Sequence, residues 1–150
     1  MKQNLQTGTE VIFNTDYLHY DEGIIIEIEN NKLIHIQTTK GLVIKPITEV
    51  LKKGLVKVGS IFTLKVPCLH NEVNTIGIAF NHYENNSVQV IFENGNFDGF
   101  NPAEIISFLN YEGQSDLDYC FTNVIKLDQD FEEGKFKNIY EKFKRSQIYS

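Results

Sequence analysis

The stretch that decides the fold is Thr75-Ile76-Gly77-Ile78-Ala79-Phe80-Asn81-His82-Tyr83-Glu84-Asn85-Asn86-Ser87-Val88-Gln89-Val90-Ile91-Phe92-Glu93-Asn94-Gly95-Asn96. An apolar run ends in a polar turn rich in Asn, which tolerates left-handed backbone, and the return strand alternates apolar and polar residues. Asn94-Gly95 closes the unit with the strongest short hairpin signal in the chain. The same plan occurs upstream: Gly23, Ile34, Ile36 and Gly41 are matched, at a constant offset of 54, by Gly77, Val88, Val90 and Gly95. There, Gly23-Ile24-Ile25-Ile26 leads through Glu29-Asn30-Asn31-Lys32 into Leu33-Ile34-His35-Ile36-Gln37 and a turn at Thr39-Lys40-Gly41. Further out, Gly8-Thr9-Glu10-Val11 parallels Gly59-Ser60-Ile61-Phe62 at an offset of 51, so the second block carries three extra residues in its first loop.

Two blocks of roughly fifty residues, each with four or five short strands, predict small, strongly bent β-barrels. The chain therefore reads as mainly β: two tandem small barrels with short helices and a C-terminal amphipathic helix. The expected divisions are 1–56, 57–113 and a strand-and-helix extension over 114–150. In the first block, residues 45–51 predict a short helical or 3₁₀ turn stopped by Gly54. In the second, Asn101-Pro102-Ala103-Glu104 places Asn at the N-cap, Pro at the first helical position and Glu at N3. Ile105, Ile106, Phe108 and Leu109 then give an apolar helix face that Gly113 stops. After Gln114, Tyr119, Cys120, Phe121, Val124 and Ile125 predict an extended segment. Asp128 or Asp130 can cap a last helix, whose apolar positions are Phe136, Ile139, Tyr140 and Phe143. Lys142, Lys144 and Arg145 near its end complement the helix dipole. A fifty-residue barrel is marginal alone, so the two are expected to pack together, with the helices covering exposed edges.

The second block resembles the central hairpin of Tudor-type and other SH3-like barrels, with Phe92, Gly95 and Asn96 corresponding to that family's aromatic and Gly-Asn turn. Asn94 stands where Tudor domains usually carry an aromatic, a departure from their methyl-lysine or methyl-arginine cage. The first block is more similar to the KOW variety, on Gly23-Ile24-Ile25, Leu33-Ile34-His35-Ile36 and Gly41. The two resemblances span residues 8 to 109.

At 150 residues and 17.3 kDa, with 41% hydrophobic and 23% charged residues and a mean hydropathy of -0.25, the composition is that of a soluble globular protein. Fourteen basic against 20 acidic residues give a net charge of -6, which disfavours whole-molecule attraction to nucleic acid or an anionic membrane. Arg145 is the only Arg, so forks that clamp phosphate or guanine are nearly absent. Abundant Asn, Ile and Lys fit an AT-rich genome such as that of a low-GC bacterium or its phage. Met1-Lys2-Gln3-Asn4-Leu5 opens no apolar signal segment and no window is long and apolar enough to span a bilayer, so a cytoplasmic location is expected, with Cys68 and Cys120 as free thiols.

Phe80 and Phe92 lie in strands and are expected in the core, whereas Tyr83, Phe97 and Phe100 fall in loops or at strand ends. With Asp98 they form the expected partner-binding surface, because rings on a rigid loop anchor a partner at little ordering cost. The competing reading is that both Phe rings close the barrel end. Between Lys40 and Lys65 lie Lys40, Lys45, Lys52, Lys53, Lys57 and Lys65 against the single acid Glu49, a stripe that can meet phosphates weakly and without sequence preference.

Cys68-Leu69-His70 reads as a thiol and an imidazole on one side of a strand, with His82 and Cys120 as further candidate ligands. No close two-cysteine spacing supports a structural metal site, and none is expected. Residues 128–134 match a calcium loop only superficially, because the glycine falls one place late and the twelfth position is Ile139. A thiol enzyme would need one of His19, His35, His70 or His82 as base; His35, between Ile34 and Ile36, is expected on the solvated sheet face. No nucleophile elbow, phosphate loop or dinucleotide fingerprint is present. The leading expectation is a non-enzymatic, cofactor-free module that binds a protein with a basic surface, including an inhibitor of a nucleic-acid enzyme carried by a phage or mobile element. The alternatives are a nucleic-acid-binding module on the Lys stretch and a small thiol or metal enzyme.

Overall fold

The computed structural model describes residues 3–148; Met1, Lys2, Tyr149 and Ser150 lie outside the described residues. Ten strands form two five-stranded antiparallel sheets, joined by three α-helices and one 3₁₀ turn. The first sheet comprises β1 (Glu10–Asn14), β2 (Tyr20–Glu29), β3 (Leu33–Thr38), β4 (Gly41–Pro46) and β5 (Val50–Lys52), in the order β4-β3-β2-β1-β5. The second comprises β6 (Ser60–Leu64), β7 (Ile76–His82), β8 (Val88–Phe92), β9 (Phe97–Phe100) and β10 (Leu109–Gln114), in the order β10-β6-β7-β8-β9. Read from the opposite edge, the second order is the first one repeated. A helical connection precedes the last strand of each: a 3₁₀ turn at Ile47–Glu49 and α1 at Pro102–Phe108. The end strands β4 and β5 do not pair with each other, nor do β9 and β10, so among the described residues neither sheet closes into a barrel.

The repeat extends to irregularities. Val11 pairs with Gly23 and Phe62 with Gly77, which reproduces the offsets of 51 and 54 read from the sequence. Each long hairpin carries a bulge at the same place, between Ile25 and Glu27 and between Ala79 and Asn81, making Ile26 and Phe80 the extra residues. The matched glycines have a packing cause. A Cβ on Gly23 would lie 2.5 Å from the Gln37 carbonyl oxygen and from Ile36, and one on Gly77 would lie 2.5 Å from Val90 and 2.8 Å from the Phe92 ring.

Strand β1 reads Glu-Val-Ile-Phe-Asn, and its apolar run is buried on both faces. Val11 and Phe13 point into a core with Ile25, Ile34, Ile36 and Val50. Ile12 points the other way and, with Leu51 and Val56, joins the core of the second sheet formed by Phe62, Leu64, Val90, Phe92 and the α1 residues Ile105 and Ile106. The two repeats are thus welded through β1, β5 and α1. On the far side of the second sheet, Ile76, Ile78, Phe80 and Ile91 are covered by α2 (Val124–Glu132) and α3 (Lys137–Ile148), which contribute Leu127 and Tyr140, and by Phe136 from the link between them.

Several local expectations change. The 3₁₀ turn is confined to Ile47–Glu49, and Val50–Lys52 extend as β5, because Val50 and Leu51 each bury on opposite faces of a strand beside β1. The capping box at Asn101 and Glu104 is present, but α1 ends at Phe108 and Leu109 begins β10, its side chain buried against the inner core. Among its described residues the C-terminal extension holds two helices, not one, and no strand beyond Gln114, the last residue of β10. Asn123 accepts the Lys126 amide and starts α2, which places Val124, Ile125, Asp128 and Asp130 inside a helix.

Candidate functional site

The expected aromatic surface around the β8–β9 turn is largely absorbed by packing. Phe100 is 4% exposed, in edge-to-face contact with Phe92, and Phe97 packs edge-on to Phe80 at 5.9 Å between centroids. Both rings serve the core, one on each face of the second sheet. Asp98 stays exposed, and Tyr83 stays half exposed with its hydroxyl bonded to Gln89 at 2.9 Å. Phe80 and Phe92 are fully buried, as expected.

The Lys stretch is scattered in its engagements. Lys40 lies 3.8 Å from Asp21 and Lys53 3.2 Å from Glu22. Lys45 sits over the Phe13 ring at 6.0 Å, while Lys52 is half-buried and Lys57 exposed. Lys65 donates from Nζ to the Ile106 carbonyl at 2.6 Å, at the C-terminal end of α1, and burial pulls its pKa down. It lines a cleft of about 250 Å³ between the sheets with Ile47, Leu51, Ile105 and Tyr111. Its ammonium is therefore spent on the helix terminus.

Cys68 and His70 are not on a strand. Cys68 and Asn71 exchange backbone bonds across a tight turn in which Leu69 and His70 have φ of 50° and 63°. Asn96 pins this turn to the β8–β9 hairpin by donating to the Leu69 carbonyl at 2.7 Å. Burial, and then the charge of Asp98, push the Cys68 thiol up, which keeps it protonated at neutral pH and a poor nucleophile. Cys120 is exposed, beside the cluster in which Asp130 accepts from Tyr119 at 2.6 Å and from Lys126 at 2.6 Å and lies 3.0 Å from Lys135. Those hydrogen bonds, Lys126 first, hold the Asp130 carboxyl well below the usual range. Among the described residues no group of three His, Cys, Asp or Glu side chains could hold a metal ion.

What the repeat exposes is a sheet face. In the second sheet Ile61, Ile78, Phe80, Ile91 and Phe97 lie under α2 and α3. Pairing registers place Glu10, Ile24, Ile26, Gln37 and Leu42 at the corresponding positions of the first sheet. On that same face Ile12 and Leu51 are buried against the second sheet and α1, whereas the part toward β2, β3 and β4 stays largely open to solvent. Ile24 is 47% exposed, Ile26 48%, Ile44 50% and Leu42 55%, against 0% for Ile78 and Phe80. The hairpin turns agree: a Cβ on Gly95 would meet the Phe131 ring of α2 at 3.3 Å, whereas one on Gly41 would meet nothing within 4 Å.

The open face is apolar in the middle and acidic at its margin. A depression of about 300 Å³ is lined by Glu10, Glu22, Ile24, Gln37, Thr39 and Lys53. Toward the β2–β3 turn, His35 lies between Glu27, 3.6 Å from its Nε2, and Glu29, at 4.0 Å. Sequence reading expected His35 on the solvated face, where its side chain is 15% exposed, and read Ile24–Ile26 as an apolar run without assigning it to a face. The available signal was that an uninterrupted apolar run in a strand makes both faces apolar. Compared with known proteins, the chain matches no family model and no curated protein.

Proposed function

We propose that this protein is a non-enzymatic binding module built from two SH3-like units, 1–56 and 57–113, with 114–150 as a covering extension. One unit is sealed by the chain's own helices and the other presents the same face to a protein partner. The observation that carries this reading is the asymmetry between the copies: Ile78 and Phe80 are buried, while Ile24 and Ile26 are half exposed at matching positions. An aliphatic cluster left open on a protein that covers its twin marks an interaction surface more specifically than scattered apolar residues do. The identical strand order, the shared bulge and the helical connection before each last strand support the SH3-like assignment. A cytoplasmic setting suits the free thiols, and the net charge of -6 favours a partner with a basic surface.

Site-specific photo-crosslinking in cells tests the proposal. A benzoylphenylalanine at Leu42 is expected to capture a defined protein that one at Tyr83 does not. Capture only from Tyr83 or Asp98 would return the contact surface to the β7–β8 and β8–β9 loops, and capture of nucleic acid from Lys57 would favour the phosphate-binding alternative.

A further inference from the structure

Resting on that reading, we infer that the occupant of the open face is an amphipathic helix with basic flanks, contributed by a partner protein and lying over β2, β3 and β4, the part of the face that the second sheet leaves uncovered. The protein itself contains the complex to be copied. On the second sheet, Tyr140 of α3 lies over Ile91 and donates its hydroxyl to the Ile91 carbonyl at 2.6 Å. Phe136 is buried in one cluster with Ile78 and Phe80, and Lys144 pairs with Glu93 at the sheet margin. Apolar residues on one helix stripe and a basic residue at the sheet edge are thus the chemistry this face accepts.

In the first sheet Ile12 and Leu51 of the matching face are covered by the second sheet, and the rest carries two changes that define its occupant. Ile61 and Ile91 become Glu10 and Gln37, so the face is polar enough to stand in water when unoccupied. Carboxylates at the margin increase to four, Glu10, Glu22, Glu27 and Glu29; Lys53 answers Glu22, and the His35 imidazole lies between Glu27 and Glu29. A helix with Lys or Arg beside its apolar stripe places positive charge over Glu10, Glu27 and Glu29. An acidic helix would be repelled there. Ile24, Ile26, Leu42 and Ile44 then meet residues at helical i, i+3, i+4 and i+7 spacing, as in groove-bound amphipathic helices. Nucleic acid and anionic lipid carry the wrong charge for this margin.

A displayed library of random peptides the length of α3, selected against the full chain, tests the inference. We expect enriched sequences with apolar residues at helical spacing and an excess of Lys and Arg. Their capture should weaken about tenfold or more with Ile24→Asp and again with Glu10→Lys/Glu22→Lys, and stay unchanged with Tyr83→Ala. The charge reversal sits on exposed side chains and serves as the folding-safe variant. Peptides that lose capture with Ile24→Asp but carry no basic excess, or that bind as extended strands at the β4 edge, would overturn the basic helix and leave the docking face standing. Selection of no binder, or of binders indifferent to Ile24→Asp, would overturn the docking face itself. A chain that sediments as a dimer, with the dimer lost in Ile24→Asp, would put a second copy on the face and overturn the partner-derived helix.

Discussion

Ile24 and Ile78 occupy one position in two copies of a sheet, and truncating each to Ala measures what covers it. At Ile78, fully buried beneath α2 and α3, removing the side chain beyond Cβ forfeits roughly 2.4 kcal/mol of transfer free energy at about 0.8 kcal/mol per buried methylene. The void left between sheet and helices adds to this, so the expected total is about 3–4 kcal/mol. At Ile24 nearly half of the side chain is already in water and solvent fills the vacated space, so about 1 kcal/mol is expected. The difference, about 2–3 kcal/mol, is readable from urea denaturation of the two variants with the slope held common. Wild type should unfold in one transition, because Ile12 and Leu51 tie the first sheet to the core of the second. Equal costs within about 0.5 kcal/mol would refute the asymmetry and show that the face of the first sheet is covered in the isolated protein.

Three further outcomes follow from the geometry. The Asp130 pKa is depressed in the folded chain, so its contribution is present above about pH 4 and is lost as pH falls toward the native value; Asp130→Asn should flatten the fall in melting temperature between about pH 4 and pH 2. Thiol titration with an aromatic disulfide at pH 7 should modify the exposed Cys120 first, with Cys68 lagging and accelerating as pH rises; equal rates would contradict the environment assigned to Cys68. Gly23→Ala drives a Cβ to 2.5 Å from the Gln37 carbonyl, a backbone atom that cannot step aside, and should cost about 1–3 kcal/mol by chemical denaturation, whereas Gly99→Ala, whose Cβ would meet its nearest atoms at 3.9 Å, an ordinary contact, should be tolerated far better.

The duplicated plan was legible in the chain because strands write their pairing locally. Glycines at the close crossings, Asn-rich turns and alternating return strands are all set by neighbours a few residues away. The capping box at Asn101 was legible for the same reason. The last strands β5 and β10 were harder to read, since each becomes a strand by pairing with β1 or β6 some forty to fifty residues earlier, and β5 is only three residues long. The same difficulty hid the fate of the aromatics. Phe97 and Phe100 sit beside a turn, where rings often face water, and only the arrival of Phe80 on one side and Phe92 on the other makes them core.

By itself the sequence determined that one antiparallel plan is written twice, where the hairpins turn, and which strand runs are apolar. Only the tertiary structure decided which apolar faces meet an occupant. In a strand, alternation assigns side chains to two faces but says nothing of what approaches from a distance. Gly23-Ile24-Ile25-Ile26 and Gly77-Ile78-Ala79-Phe80 look alike as strings. They differ because, among the described residues, α2 and α3 cover Ile78 and Phe80 and no helix covers Ile24 and Ile26.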